Sequence, residues 1–200
     1  MSDIENPRRA DHPVDPMFLE RWSPRAFTGE PIAEADLLTM LEAGRWAASS
    51  GNLQPWRFLY ARRGTPAFDV FLDLLTPTNQ SWAKNASALL CLCSRTTRTS
   101  SEGEEVPSPT HSFDTGTASG YITMQAHLMG WAAHGMAGFD RARLIEALRV
   151  PEGYVAHACY AIGRRGDPAM LPEALQARER YSDRRPLGEV AFEGGFPEER

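Results

Sequence analysis

The segment Arg21-Trp22-Ser23-Pro24-Arg25 carries the most chemistry for its length. In an extended chain, residues 21, 23 and 25 point the same way, so one face offers two guanidinium forks and a hydroxyl. Arginine supplies permanently charged, bidentate donors, which suits a phosphate or the polar edge of a flat heterocycle. The same spacing also fits a solvated charge pair near the terminus. A second string, Ala47-Ala48-Ser49-Ser50-Gly51-Asn52-Leu53-Gln54-Pro55-Trp56, runs small residues into short polar side chains before a Pro-Trp strand entry. Small residues let a backbone approach a ligand closely, and Ser and Asn add rigid hydrogen-bonding groups. A helix C-terminal turn followed by an Asx turn would explain Ser49 to Asn52 equally well.

Composition removes several alternatives. The 200 residues carry 21 Lys+Arg against 26 Asp+Glu, a net charge of −5, so neither nucleic acid nor an anionic membrane is an expected partner. Lys84 is the only lysine, so Schiff-base chemistry would rest on it alone, and no G-x-x-x-x-G-K-[ST] phosphate loop is present. Ser81-Trp82-Ala83-Lys84 fits S-x-x-K, but S-D-N and K-T-G are missing. His127 and His134 lie seven apart without an H-E-x-x-H partner, so no metal site is expected. Cys91, Cys93 and Cys159 are too few and odd in number for a disulfide framework and read as buried thiols. The N-terminus lacks the apolar segment of a signal peptide, and polar residues interrupt the stretch Tyr121 to Phe139, so a soluble, cytoplasmic protein is expected.

These residues need elements to hold them. A polar arm, residues 1–16, precedes one expected domain, residues 17–200. Glu34 to Ala48 reads as an amphipathic helix, with Leu37, Leu38 and Leu41 at helical spacing and Glu34 and Asp36 in its first turn. Trp56 to Ala61 and Ala86 to Cys93 read as buried strands, and Ala67 to Leu75 as a helix closed by Pro77. Residues 94 to 115 hold almost no core-forming side chains, so this stretch is expected to be a long loop, either functional or disordered. Gly116 to Ala133 is expected as the central helix, burying Tyr121, Met124, Leu128 and Trp131 on one face. Asp140 caps a further helix to Arg149; Tyr154 to Gly163 is a strand, and Leu187 to Phe192 a short terminal one. No G-x-G-x-x-G follows a strand.

Taken together, R-x-S-x-R-x-F and, about 25 residues later, S-S-x-N-x-Q-P-W resemble the nitroreductase family of FMN-dependent oxidoreductases. The resemblance continues in order through Asn79-Gln80-Ser81-Trp82, Phe113-Asp114-Thr115-Gly116, Gly130 to Asp140, the strand end Ala161-Ile162-Gly163 and Arg184-Arg185-Pro186-Leu187, covering residues 17 to 192. It implies an α+β fold, a mainly antiparallel sheet wrapped by helices, and a homodimer with FMN at the interface. It implies that Arg21, Ser23 and Arg25 contact the flavin phosphate, ribityl chain and pyrimidine edge, with Arg184 and Arg185 completing the phosphate clamp. Ser49, Ser50 and Asn52 would reach the partner's flavin, Asn79 the isoalloxazine edge, and Met136, Ala137 and Gly138 would lie against the ring.

The family commonly has lysine where this chain has Arg25, a proline where it has Ala48, and a basic residue where it has Ser182. His134, beside the expected flavin face, is a candidate proton donor to substrate. The implied reaction is ping-pong: NADH or NADPH reduces FMN, and a nitroaromatic, quinone or similar small acceptor takes the electrons. Flavin-dependent dehydrogenation with oxygen as acceptor, and FMN binding without turnover, remain open alternatives.

Overall fold

The computed structural model describes residues 4–197; the first three residues of the polar arm lie outside the described residues, as do 198–200. Two strands make its centre. β2 (Ala88–Arg95) and β6 (Tyr154–Gly163) pair antiparallel, with β1 (Trp56–Arg62) outside β2 and β5 (Ala132–Met136) outside β6, giving the order β1-β2-β6-β5 with every pairing antiparallel. β2 is a continuous apolar run because both its faces are covered. Leu89, Cys91 and Cys93 enter one core cluster, and Ala88, Leu90 and Leu92 enter the other.

The first cluster is roofed by α3 (Pro66–Asp73), α4 (Pro77–Ala83) and α6 (Arg141–Ala147), through Phe68, Phe71, Trp82 and Leu144. The three cysteines sit inside it as free thiols, and their neighbours and burial push the Cys91 and Cys93 thiols well above the ordinary range. α2 (Glu34–Arg45) and α5 (His111–Leu128) cover the other face, where a Cβ on Gly44 would come within 2.5 Å of Ile122 Cγ1, so only glycine permits that approach. Short helices α1 (Met17–Glu20) and α7 (Glu173–Gln176) frame the chain on either side of the arginine-rich segments.

The structure corrects several expectations. The helix beginning near Ala67 starts at Pro66, and Pro77 opens α4 rather than ending a helix, because proline at the first helical position costs no hydrogen bond. Residues 94 to 115 are not a long loop. β3 (Thr97–Thr99) and β4 (Glu105–Pro107) form a hairpin held by polar pairs: Thr97 and Thr99 hydroxyls donate to Glu105, which also pairs with Arg95 at 2.9 Å. Its root is buried, with Ser94 Oγ lying 2.7 Å from His111 Nδ1 and 2.6 Å from His157 Nε2.

α5 starts at His111 and stops at Leu128, and it buries Asp114, Thr115, Ala118, Ile122 and Ala126 instead of the expected face. Tyr121 is 47% exposed and Leu128 63%, while Trp131 is buried but lies beyond the helix. The small residues win because close helix–helix contact with α2 needs them. β5 follows where the helix was expected to continue. Leu187 to Phe192 is a 3-10 turn, Leu187–Glu189, and not a strand. Among the described residues no helix is long and apolar enough to cross a membrane.

Candidate functional site

The Arg21–Arg25 segment lies beside β5, held by one contact within itself and four to other parts of the chain. Arg21 Nη1 donates to Ser23 Oγ at 3.3 Å, so residues 21 and 23 do share a direction. The Pro24 carbonyl accepts from His134 Nδ1 on β5 at 3.0 Å. The Glu179 carboxylate, buried at 5% exposure, accepts the Arg25 N–H at 2.8 Å and the Ala26 N–H at 2.9 Å. Trp22 stacks on Tyr181 with ring centroids 4.9 Å apart. Segment 21–26 is thereby tied to the C-terminal segment 179–184, more than 150 residues away in sequence.

Three adjoining cavities result. One of about 750 Å³ is lined by Arg21, Ser23, Arg25, His134, Arg178 and Arg184. One of about 330 Å³ continues past Arg25, His134 and Arg178 to Asn79 and the backbone of 135–138. One of about 620 Å³ lies on the far side of Arg21 and Ser23, against Gly135, Tyr121 and Tyr160. These volumes are in the range of cofactor and substrate sites.

The floor is glycine-dependent. At Gly138 a Cβ would stand 2.8 Å from Asn79 Nδ2 and 2.9 Å from Thr76 Oγ1. Asn79 Nδ2 donates to the Gly138 carbonyl at 2.9 Å, so this side chain holds the 136–138 backbone in place. Met136 is buried and points into the core, leaving backbone, Gly135 and the exposed Ala137 to face the cavity.

The electrostatics are one-sided. Burial lowers the guanidinium pKa of Arg21 and Arg25, and each is lowered further by a facing arginine, Arg184 for Arg21 and Arg178 for Arg25. Arginine nevertheless stays charged. Burial first, then the charge of Arg25, pushes His134 down to about 4. At pH 7 it is therefore a neutral imidazole with its Nδ1–H committed to Pro24, which removes the imidazolium that a proton donor would need.

Not every expected site residue gathers here. Arg21, Ser23, Arg25, Asn79, Met136, Ala137, Gly138 and Arg184 line the joined cavities. Arg185 does not; it lines a separate cleft with Arg9, Leu187 and Val190. Ser49, Ser50 and Asn52 lie at the N-terminal end of α5, where the Ser50 N–H donates to Asp114 Oδ2 at 3.3 Å. Their turn is conformationally unusual, with Asn52 at φ 55° and Gln54 at φ 48°, strain of a kind that concentrates at functional sites.

Sequence reasoning missed Arg8, Arg178 and Glu179. Arg8 and Glu179 act through contacts spanning 174 and 154 residues, which leave no local pattern, and Arg178 sits in an Arg/Glu-rich run that resembles a solvated face.

The sheet is antiparallel throughout, and the cavities beside β5 are lined by Arg21, Arg25, Arg178 and Arg184. The nitroreductase family model matches residues 19–66, the stretch that carries both the Arg21–Arg25 and Ser49–Trp56 strings. The fold is similar to that of an oxidoreductase containing FMN, at 50% identity and a TM-score of 0.94, covering 98% of this chain and 99% of that one. A nitroreductase family protein from Clostridium difficile 630 has the same fold at 18% identity and a TM-score of 0.68, covering 90% and 97%. An uncharacterized 15.4 kDa protein in the ask 5' region of Mycolicibacterium smegmatis is 36% identical over 147 residues, 69% of this chain and 95% of that protein. The chain belongs to the nitroreductase family.

Proposed function

We propose that the protein is a homodimeric, FMN-dependent oxidoreductase that takes electrons from NADH or NADPH and passes them, in a ping-pong cycle, to a small acceptor such as a nitroaromatic or quinone. One observation carries the reading: the guanidinium-bearing residues Arg21, Arg25, Arg178 and Arg184 line one cavity wall, beside a floor made by the 135–138 segment with no side chain larger than Ala137 exposed on it. The residues present fit FMN, because the arginines supply an anion clamp and Asn79, packed against Gly138, holds the 136–138 backbone as a wall of the adjoining cavity. When bound, FMN would supply the hydride and electron transfer itself, so the chain needs no nucleophile or general base.

The chain's own residues bind and orient. Arg21, Ser23 and Arg184 take the phosphate and ribityl end, Arg25 the pyrimidine edge, and Asn79 braces the 136–138 floor. Neutral His134 fixes the Pro24 carbonyl and so aims Ser23 and Arg25. Ser49, Ser50 and Asn52 complete the partner subunit's site, a role supported by their strained turn standing away from this chain's own cavities. The apolar face of α5, exposed in one chain, forms part of the dimer contact. A single FMN-binding domain, residues 17–200, working in the cytoplasm suits three free thiols, since reducing compartments keep them so.

The test is anaerobic mixing of the FMN-loaded protein with NADH or NADPH. Rapid loss of the flavin's yellow absorbance, restored by a quinone or nitroaromatic, is expected. A flavin that binds tightly but stays oxidised with both nicotinamides would make the protein a carrier instead.

A further inference from the structure

The site contains two separate pairs of like charges. Arg21 faces Arg184, and Arg25 faces Arg178, each within Coulomb reach. Arg178 lines the same two cavities as Arg25, and its guanidinium finds no acceptor among the described residues. Its nearest carboxylate neighbour in sequence, Glu179, is already spent on the backbone N–H groups of Arg25 and Ala26. The imidazole beside them, His134, is neutral and supplies no counter-charge. The Glu179 carboxylate offsets part of this repulsion at Arg25, but the opposing effect of Arg178 is the larger, so an anionic group placed between the two cations lowers the energy of the chain.

Flavin mononucleotide has two ends that carry negative charge: its phosphate and, when reduced, the N1–C2=O edge of the ring. We propose that the second pair, Arg25 and Arg178, is a distinct subsite for that ring edge, and that Arg178 is a potential-setting residue. The proposal rests on the flavin reading above. The phosphate then belongs to Arg21 and Arg184 alone. Arg178 stands just after α7, where the cavity turns from the arginine wall toward Asn79 and the 136–138 floor, so its charge meets the ring and not the phosphate.

The experiment compares the FMN-loaded protein with its R178Q and R178K variants. Arg178 is exposed and makes no side-chain hydrogen bond, so both variants are expected to melt at the temperature of the parent. Two quantities report charge at the ring edge: the two-electron midpoint potential and the affinity for sulfite, which adds to oxidised flavin and leaves negative charge there. R178Q is expected to weaken sulfite binding about tenfold and to lower the potential by the equivalent ~30 mV. R178K is expected to recover most of both. The ratio of FMN to riboflavin affinity stays unchanged in both variants. Unaltered potential and sulfite affinity in R178Q would overturn the proposal, as would a collapse of the FMN preference over riboflavin, which would put Arg178 on the phosphate. Failure of the unsubstituted protein to bind FMN at all would overturn the flavin reading itself, and is seen before any variant is made.

Discussion

Arg8 Nε donates to the carbonyl oxygen of Ser182 at 2.7 Å, joining the polar N-terminal arm to the segment that carries Arg184. The same guanidinium donates to the carbonyls of Arg21 at 2.7 Å and Leu19 at 3.0 Å and reaches Ser182 Oγ, which Arg184 Nη1 also meets at 3.1 Å. A side chain only 7% exposed thus clasps both backbones whose arginines line the cavity.

Arg8→Ala is expected to destabilise the protein by about 2–4 kcal/mol, because a buried charge-assisted donor set is lost, the Arg21 carbonyl is left unpaired, and those of Leu19 and Ser182 keep only Asn6 and Arg184. Denaturant unfolding measures this. Flavin affinity should fall with it, since Arg21 and Arg184 lose their common anchor; unchanged stability would show that the arm is dispensable.

Much of the site's chemistry could be read from the sequence, and much of its support could not. Arg21, Ser23 and Arg25 alternate in an extended segment, so local geometry alone put two of them on one face. Glu179 and Arg8 are different: each contributes by satisfying backbone groups far away in sequence, and nothing in their neighbours announces it. β2 was legible because burial on both faces leaves a nearly unbroken apolar run, and β6 because its mostly apolar stretch begins after the Pro151–Gly153 turn. β5 was not, since Ala132-Ala133-His134-Gly135-Met136 has no β-branched residue, and the helical pattern reads on through Gly130, which at φ 74° in fact caps the helix. α5 misled by its larger side chains. Its Thr115, Ala118, Ile122 and Ala126 face the core because α2 approaches closely, and Tyr121 and Leu128, which looked like core, are left outside.

Arg21→Ala removes one charge-assisted contact to the proposed phosphate. FMN affinity is expected to fall roughly 10- to 150-fold, the equivalent of about 1.5–3 kcal/mol, with riboflavin affinity nearly unchanged. Fluorescence titration of both ligands decides it. Equal losses for the two would remove Arg21 from the phosphate.

His134 ties pH to stability. Its folded-state pKa of about 4 lies below the ordinary value of 6.5, so the fold prefers the neutral ring. The full stability is present above pH 6.5 and is lost as pH falls from there toward 4, because the unfolded chain then takes up a proton that the folded chain resists. At pH 4 the loss amounts to about 3 kcal/mol. His157, lowered by burial and by its neighbours His111 and Arg141, adds to the same window and does so in wild type and variant alike. His134→Asn keeps an N–H for the Pro24 carbonyl but cannot titrate. In the flavin-free protein, the difference in unfolding free energy between pH 7 and pH 4 should therefore be smaller for the variant, by that amount. Parallel pH profiles would show that His134 is protonated freely in the fold.

The exposed face of α5 carries the last prediction. Phe113 at 78% and Leu128 at 63% exposure, with Gly116 and Gly120 open between them, make an apolar strip that one chain leaves in water. Strips of this kind mark partner surfaces, and here a second copy is the proposed occupant. Leu128→Asp touches no core contact, so the monomer's own fold should survive, as judged by circular dichroism. Sedimentation should shift from about twice the 22.2 kDa chain mass toward the single chain. FMN affinity should fall in the same variant, because Ser49, Ser50 and Asn52 of each chain would no longer reach the other's site. A Leu128→Asp protein that is monomeric and still binds FMN like the parent would show that one chain suffices for the flavin, and that the strained turn at Asn52 serves something else.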